Sequence, residues 1–115
     1  MNITINPRGR KQWTITDTEI IYGKKEIPLS TICGISHTPP IKFPGAQGSI
    51  FIYQEGKLSE KYGVDDSIAL IYDKKNIESA KVAVEHLLKL FVNENYDISV
   101  DEKQARLIQL KRKNM

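Results

Sequence analysis

One cysteine, Cys33, occurs among the 115 residues. No internal disulfide can form, which fits a reducing compartment. The two histidines, His37 and His86, lie far apart, and no Cys-x-x-Cys or His-Glu-x-x-His spacing exists. A metal centre therefore lacks its ligand set, and neither metal nor cofactor is expected. No apolar run approaches the roughly 20 residues that cross a bilayer. Met1 to Pro7 has neither the basic nor the apolar region of a signal peptide, so the expected address is cytoplasmic. An excess of one charge is also missing from most of the chain. Residues 101–115 hold Lys103, Arg106, Lys111, Arg112 and Lys113 against Asp101 and Glu102, which accounts for the whole net charge of +3. The pI near 9.0 thus reflects the tail, and a nucleic-acid footprint over the whole domain is not indicated.

What is present reads as one domain of ordinary globular composition, with 40% hydrophobic and 27% charged residues. A chain this long buries about two-thirds of its unfolded surface, enough for one modest core without staples. Met1 to Ile5 alternates weakly, and a short strand and a frayed arm are both open readings. From Gln12 the period is two. Trp13 and Ile15 share a face, Asp17-Thr18 turns, Glu19 to Tyr22 returns, Gly23-Lys24 turns again, and Lys25 to Leu29 follows. This predicts an antiparallel meander with short connections. Ser30 to Ser36 reads as one turn leading into a strand, ended by His37-Thr38-Pro39-Pro40. Pro39 to Gly48 reads as a long irregular loop. Ser49 to Gln54 is a strand, 57–62 a return strand or a loop, and Ser67 to Tyr72 the last strand, expected antiparallel to Ser49–Gln54. The period then changes to 3.6: Ile77, Ala80, Val84, Leu87, Leu88 and Phe91 form one stripe, with Lys81, Glu85 and Lys89 on the wet face. Asn76 or Asp73 is the expected cap. Ser99-Val100-Asp101-Glu102 fits a capping box and predicts a short tail helix running to Lys113. The domain is placed at 1–97 and the basic tail at 98–115.

Short antiparallel strands followed by one long amphipathic helix resemble the pleckstrin-homology superfold. More narrowly, the chain resembles bacterial pleckstrin-homology-like domains of proteins of unknown function. The residues that carry this are Trp13, Ile20 and Ile21, the stretch Glu26-Ile27-Pro28-Leu29-Ser30-Thr31-Ile32-Cys33-Gly34-Ile35, then Gly48 to Ile52, and Ser67 to Lys75 running into the helix. The resemblance covers about residues 11–92 and rests on apolar spacing and punctuation. It implies an α+β fold: a bent, partly open antiparallel β-barrel of six or seven strands closed at one end by the C-terminal helix; a short helical tail is expected beyond it. Members that bind phosphoinositides carry a basic cluster between the first two strands. Here that turn reads Thr16-Asp17-Thr18-Glu19, so such binding is disfavoured.

No catalytic constellation emerges. Cys33 and His37 would make a thiolate–imidazole pair, but Pro39-Pro40 beyond them offers no oxyanion donors. The simpler reading is a small buried cysteine and a surface-loop histidine. His86 reads as a boundary residue of the helix. Asp65-Asp66 reads as a turn and not as a calcium site. Gly45 and Gly48 lack the Gly-Lys-[Ser/Thr] of a phosphate loop. The basic spots Arg8, Arg10, Lys11 and Lys111-Arg112-Lys113 are not interleaved with aromatics, as a strand-binding groove would be. Apolar residues on a loop need a reason, so Ile41 and Phe43 either pack on the strands or meet a partner. The expected function is a non-catalytic module for protein–protein interaction or assembly, with self-association included. The candidate surface is Ile41, Phe43, Lys103, Arg106, Leu107, Lys111, Arg112 and Lys113. The alternative is an adaptor whose basic tail binds an anionic membrane or nucleic acid.

Overall fold

The computed structural model describes residues 2–54, 67–90 and 107–109. Among these residues the α+β fold has two four-stranded antiparallel sheets and one α-helix. The first sheet is a meander of β1 (Ile3–Ile5), β2 (Trp13–Ile15), β3 (Glu19–Tyr22) and β4 (Lys25–Pro28), each strand paired with the next. Residues at alternate positions point inward, as the pleat requires. Ile5 opposes Trp13, Ile15 opposes Ile20, and Ile20 opposes Ile27, and all five side chains are buried. On the outer face the Thr4 and Thr14 hydroxyls meet at 2.9 Å. The first residues are therefore a strand and not a frayed arm.

A 3-10 turn (Leu29–Thr31) leads into the second sheet, built from β5 (Ile32–Thr38), β6 (Gln47–Gln54), β7 (Ser67–Asp73) and β8 (Leu107–Gln109). Its spatial order is β7-β6-β5-β8. The expected pairing of β6 with β7 is present, with Ile50 opposite Leu70 and Ile52 opposite Ile68. A bulge between Ile32 and Gly34 shifts the register of β5 and lets both Ile32 and Ile35 reach the core. The two sheets are joined through Trp13, whose indole N–H donates to the Ile71 carbonyl at 2.7 Å. That bond satisfies the one polar atom of a fully buried ring.

The helix α1 (Ile77–Leu88) covers the core with Ala80, Ala83, Val84, Leu87 and Leu88. Its small residues allow close approach to the strands. Ile77 and Leu90 pack at the margin of the core, while Glu85 and Lys89 face water, as the 3.6 period requires. Lys81 pairs instead with Glu78 at 3.8 Å.

Among the described residues the two sheets do not close into a barrel. Three expectations need correction. Neither Asp73 nor Asn76 caps a helix through its side chain, because the Asp73 carboxylate is occupied elsewhere. The loop after β5 ends at Ala46, since Gln47 and Gly48 already pair with Asp73 and Tyr72. Residues 107–109 are a strand where a tail helix was expected, and they lie antiparallel on β5 with Leu107 opposite His37. An uncovered strand edge offers unpaired N–H and C=O groups, whereas a short isolated helix is marginal in water. The readings for 57–62, Asp65-Asp66, Phe91 and the rest of the tail fall outside the described residues, as does the side chain of Cys33.

Candidate functional site

Three connections meet at one corner of the molecule: residues 6–12 between β1 and β2, residues 39–46 between β5 and β6, and the 3-10 turn Lys74–Asn76 that opens α1. The middle connection is shaped by its own sequence. The Phe43 carbonyl accepts the Ala46 N–H at 3.0 Å, closing a four-residue turn with Pro44 and Gly45 at its centre. Proline presets φ at the second position, and the third needs a positive φ, which Gly45 supplies at 80°. The Phe43 N–H donates back to the Ile41 carbonyl at 2.8 Å.

Long-range bonds then brace this loop. The Lys74 ammonium donates to the Phe43 carbonyl at 2.8 Å. The Asp73 carboxylate accepts the Arg8 backbone N–H at 3.0 Å and the Gln47 side-chain amide at 2.8 Å. The same amide reaches the Arg8 carbonyl at 3.0 Å. The Gln47 bond and then the Arg8 N–H hold the Asp73 carboxyl below its ordinary range, because both stabilise the charged form.

On this braced loop Ile41 and Phe43 stand out, 55% and 64% exposed. Neither side chain is buried against the strands. Beside them opens a shallow cavity of about 280 Å³ lined by Arg8, Gly45, Ala46, Asp73, Lys74 and Lys75. A second groove, of about 590 Å³, runs from Arg10 and Lys11 past Tyr22 to Ala69 and Ile71. There the Lys11 ammonium lies 5.2 Å from the centre of the Tyr22 ring, a cation–π contact.

Sequence reasoning picked out Arg8 in a basic spot with Arg10 and Lys11 but missed the lysines that join it at this corner. Arg8, Lys42, Lys74 and Lys75 are exposed and come from three separate segments. Because Ile3–Ile5 is a strand, the connection between the first two strands is 6–12, carrying Arg8, Arg10 and Lys11. The acidic turn at Asp17 is the second connection. Of the other candidate surface residues, Leu107 lies in β8, and Lys103, Arg106, Lys111, Arg112 and Lys113 fall outside the described residues.

His37 is not on a surface loop. It is the sixth residue of β5, 3% exposed, with Nε2 2.7 Å from the Tyr72 hydroxyl. Burial pushes its pKa down to about 4, so the ring is neutral at neutral pH. Among the described residues Nδ1 has no partner. The tautomer protonated on Nε2, donating to Tyr72, leaves only a lone pair unsatisfied. The Tyr72 ring reaches His37 by lying across Gly48, its partner on β6. A Cβ on Gly48 would stand 2.2 Å from the Tyr72 ring. This trio is buried core and offers no reacting group at the surface. His86 is half-buried on α1, as a boundary residue would be. Among the described residues no group of three His, Cys, Asp or Glu could hold a metal, and no helix is long and apolar enough to cross a membrane. No family model, curated protein or solved structure matches the chain.

Proposed function

We propose that this chain is a non-catalytic, pleckstrin-homology-like module that mediates protein–protein interaction or assembly by docking a partner at the corner around residues 39–46. The observation that carries this reading is the exposure of Ile41 and Phe43 on a loop closed by its own turn bonds and held by the Lys74 ammonium. Apolar side chains on a preorganised loop lose little entropy on binding, and an aromatic anchor next to basic residues is the usual make-up of an interface hot spot. The pleckstrin-homology-like part of the reading rests on the element order, a four-stranded meander, three further antiparallel strands and then a helix.

The test compares proteins that co-purify with the tagged full chain and with its Ile41→Ser/Phe43→Ser variant. The variant should lose specific partners, or its own association by light scattering, while its melting temperature stays within a degree or two. Identical partners and identical particle size would remove the corner from the reading.

A second reading, docking on an anionic surface, is favoured by Arg8, Arg10 and Lys11 on the first connection. It differs in its salt response. Electrostatic binding falls steeply as ionic strength rises to physiological values, and contact through Ile41 and Phe43 does not.

A further inference from the structure

Resting on the docking reading, we infer that the partner segment is acidic protein: one carboxylate side chain enters the Arg8–Lys75 cavity while a neighbouring apolar residue of the same segment covers Phe43. Charge complementarity carries the first half. Arg8, Lys74 and Lys75 line the cavity, Lys42 stands between Ile41 and Phe43, and Asp73 is the acid among the lining residues. Asp73, held ionised by the Arg8 N–H and the Gln47 amide, is one carboxylate against three basic side chains and balances only part of their charge. An arriving carboxylate meets a guanidinium able to bind it through two parallel N–H groups.

Size and charge select the ligand class. About 280 Å³ admits a side chain and excludes a folded element. Three basic side chains against one acid leave the wall net positive, which draws an anionic group. The exposed Phe43 on the adjoining loop favours an anion carried on a protein segment with an apolar neighbour, as an acidic side chain is. Geometry supplies the second half. Lys74, which lines the cavity, also binds the Phe43 carbonyl, which ties the residue that carries the apolar prong to the cavity wall. An acid and an apolar residue side by side on the partner would meet both.

The probe is a fluorescent synthetic peptide alternating Glu with Leu and Phe, titrated into the full chain by anisotropy. Controls are polyglutamate, the same peptide with Lys for Glu, and vesicles containing anionic phospholipid. The alternating peptide should bind, polyglutamate more weakly, and the Lys peptide not at all. Arg8→Glu/Lys75→Glu should weaken binding by at least about tenfold. That variant keeps the backbone bond from residue 8 to Asp73 and leaves Lys74 in place, so its melting temperature checks that the corner persists. Phe43→Ser should weaken the alternating peptide and leave polyglutamate unchanged. Equal binding of the Lys peptide, no effect of the charge reversal, or vesicle binding in place of peptide binding would each overturn the inference. If the peptide fails to bind but Ile41→Ser/Phe43→Ser still abolishes association with natural partners, the docking reading stands and only the acidic partner falls.

Discussion

The strands of the first sheet are three or four residues long and joined by connections of two to seven residues, whereas β5, β6 and β7 run for seven or eight residues. Their inner faces differ in chemistry as well. The first sheet turns only apolar side chains inward at its centre: Ile5, Trp13, Ile15, Ile20 and Ile27. The second mixes Ile35, Ile50, Ile52 and Leu70 with a polar cluster of His37 and Tyr72 set over Gly48. A dry apolar face is held by burial, which protons do not affect. A buried imidazole is held by staying neutral and by a mutual fit with its neighbours. The two halves of one core should therefore respond differently to acid and to small changes of volume.

The largest expected effect lies in the dry half and its helix. Trp13→Ala should cost about 3–5 kcal/mol, and Leu87→Ala about 2–5 kcal/mol, measured by urea unfolding. Trp13 also loses its bond to the Ile71 carbonyl, which joins the sheets. Both losses should be the same at pH 7.5 and pH 5. A loss that shrinks or grows with pH would mean that the two halves are not separable.

Acid should act through the polar half. The His37 pKa is about 4 in the folded chain, against an ordinary value near 6.5. Between these values the unfolded chain binds a proton that the folded chain refuses. The contribution is complete above about pH 6.5, is lost progressively as pH falls to about 4, and changes no further below that. Its size is on the order of 3 kcal/mol. Urea midpoints measured across this window should fall more steeply for the natural chain than for His37→Leu. Equal slopes would exclude the imidazole as the source.

Gly48→Ala should cost about 1–3 kcal/mol by overpacking, because the new Cβ meets the Tyr72 ring. The cost should be smaller in a Tyr72→Leu background. A double-mutant cycle with no coupling would show that the glycine is needed for some other reason. The smallest effect belongs to the surface. Lys81→Ala should change stability by less than about 0.5 kcal/mol, since its pairing with Glu78 is solvent-exposed. A larger loss would mean that α1 contributes more than its buried face.

Much of this was legible in the residues. The period-two runs at Trp13–Ile15 and Glu19–Tyr22 became β2 and β3, and the pairing of β6 with β7 followed from two strong strand signals. The stripe on α1 matched its buried face, with Ala83 added. His37 was misread because Pro39-Pro40 suggested that the strand had already ended, while β5 continues through Thr38. The strand at Leu107 was misread because a capping box is a local signal, and the edge of β5 is not visible locally. The candidate site was half legible. Ile41 and Phe43 were suspect as apolar residues on a loop and Arg8 as part of a basic spot, but that Arg8 would meet Lys42, Lys74 and Lys75 was not recognisable.

Local periodicity and punctuation determined β2, β3 and β4 and the buried face of α1, because each depends on residues a few positions apart. Only the tertiary structure decided which side of the core would hold a neutral histidine and which loops would meet. Arg8 and Asp73 are 65 residues apart, and Phe43 and Lys74 are 31 apart. Their meeting depends on the order of strands across two sheets. That order is set by the burial of all the inward side chains together, and no single segment encodes it.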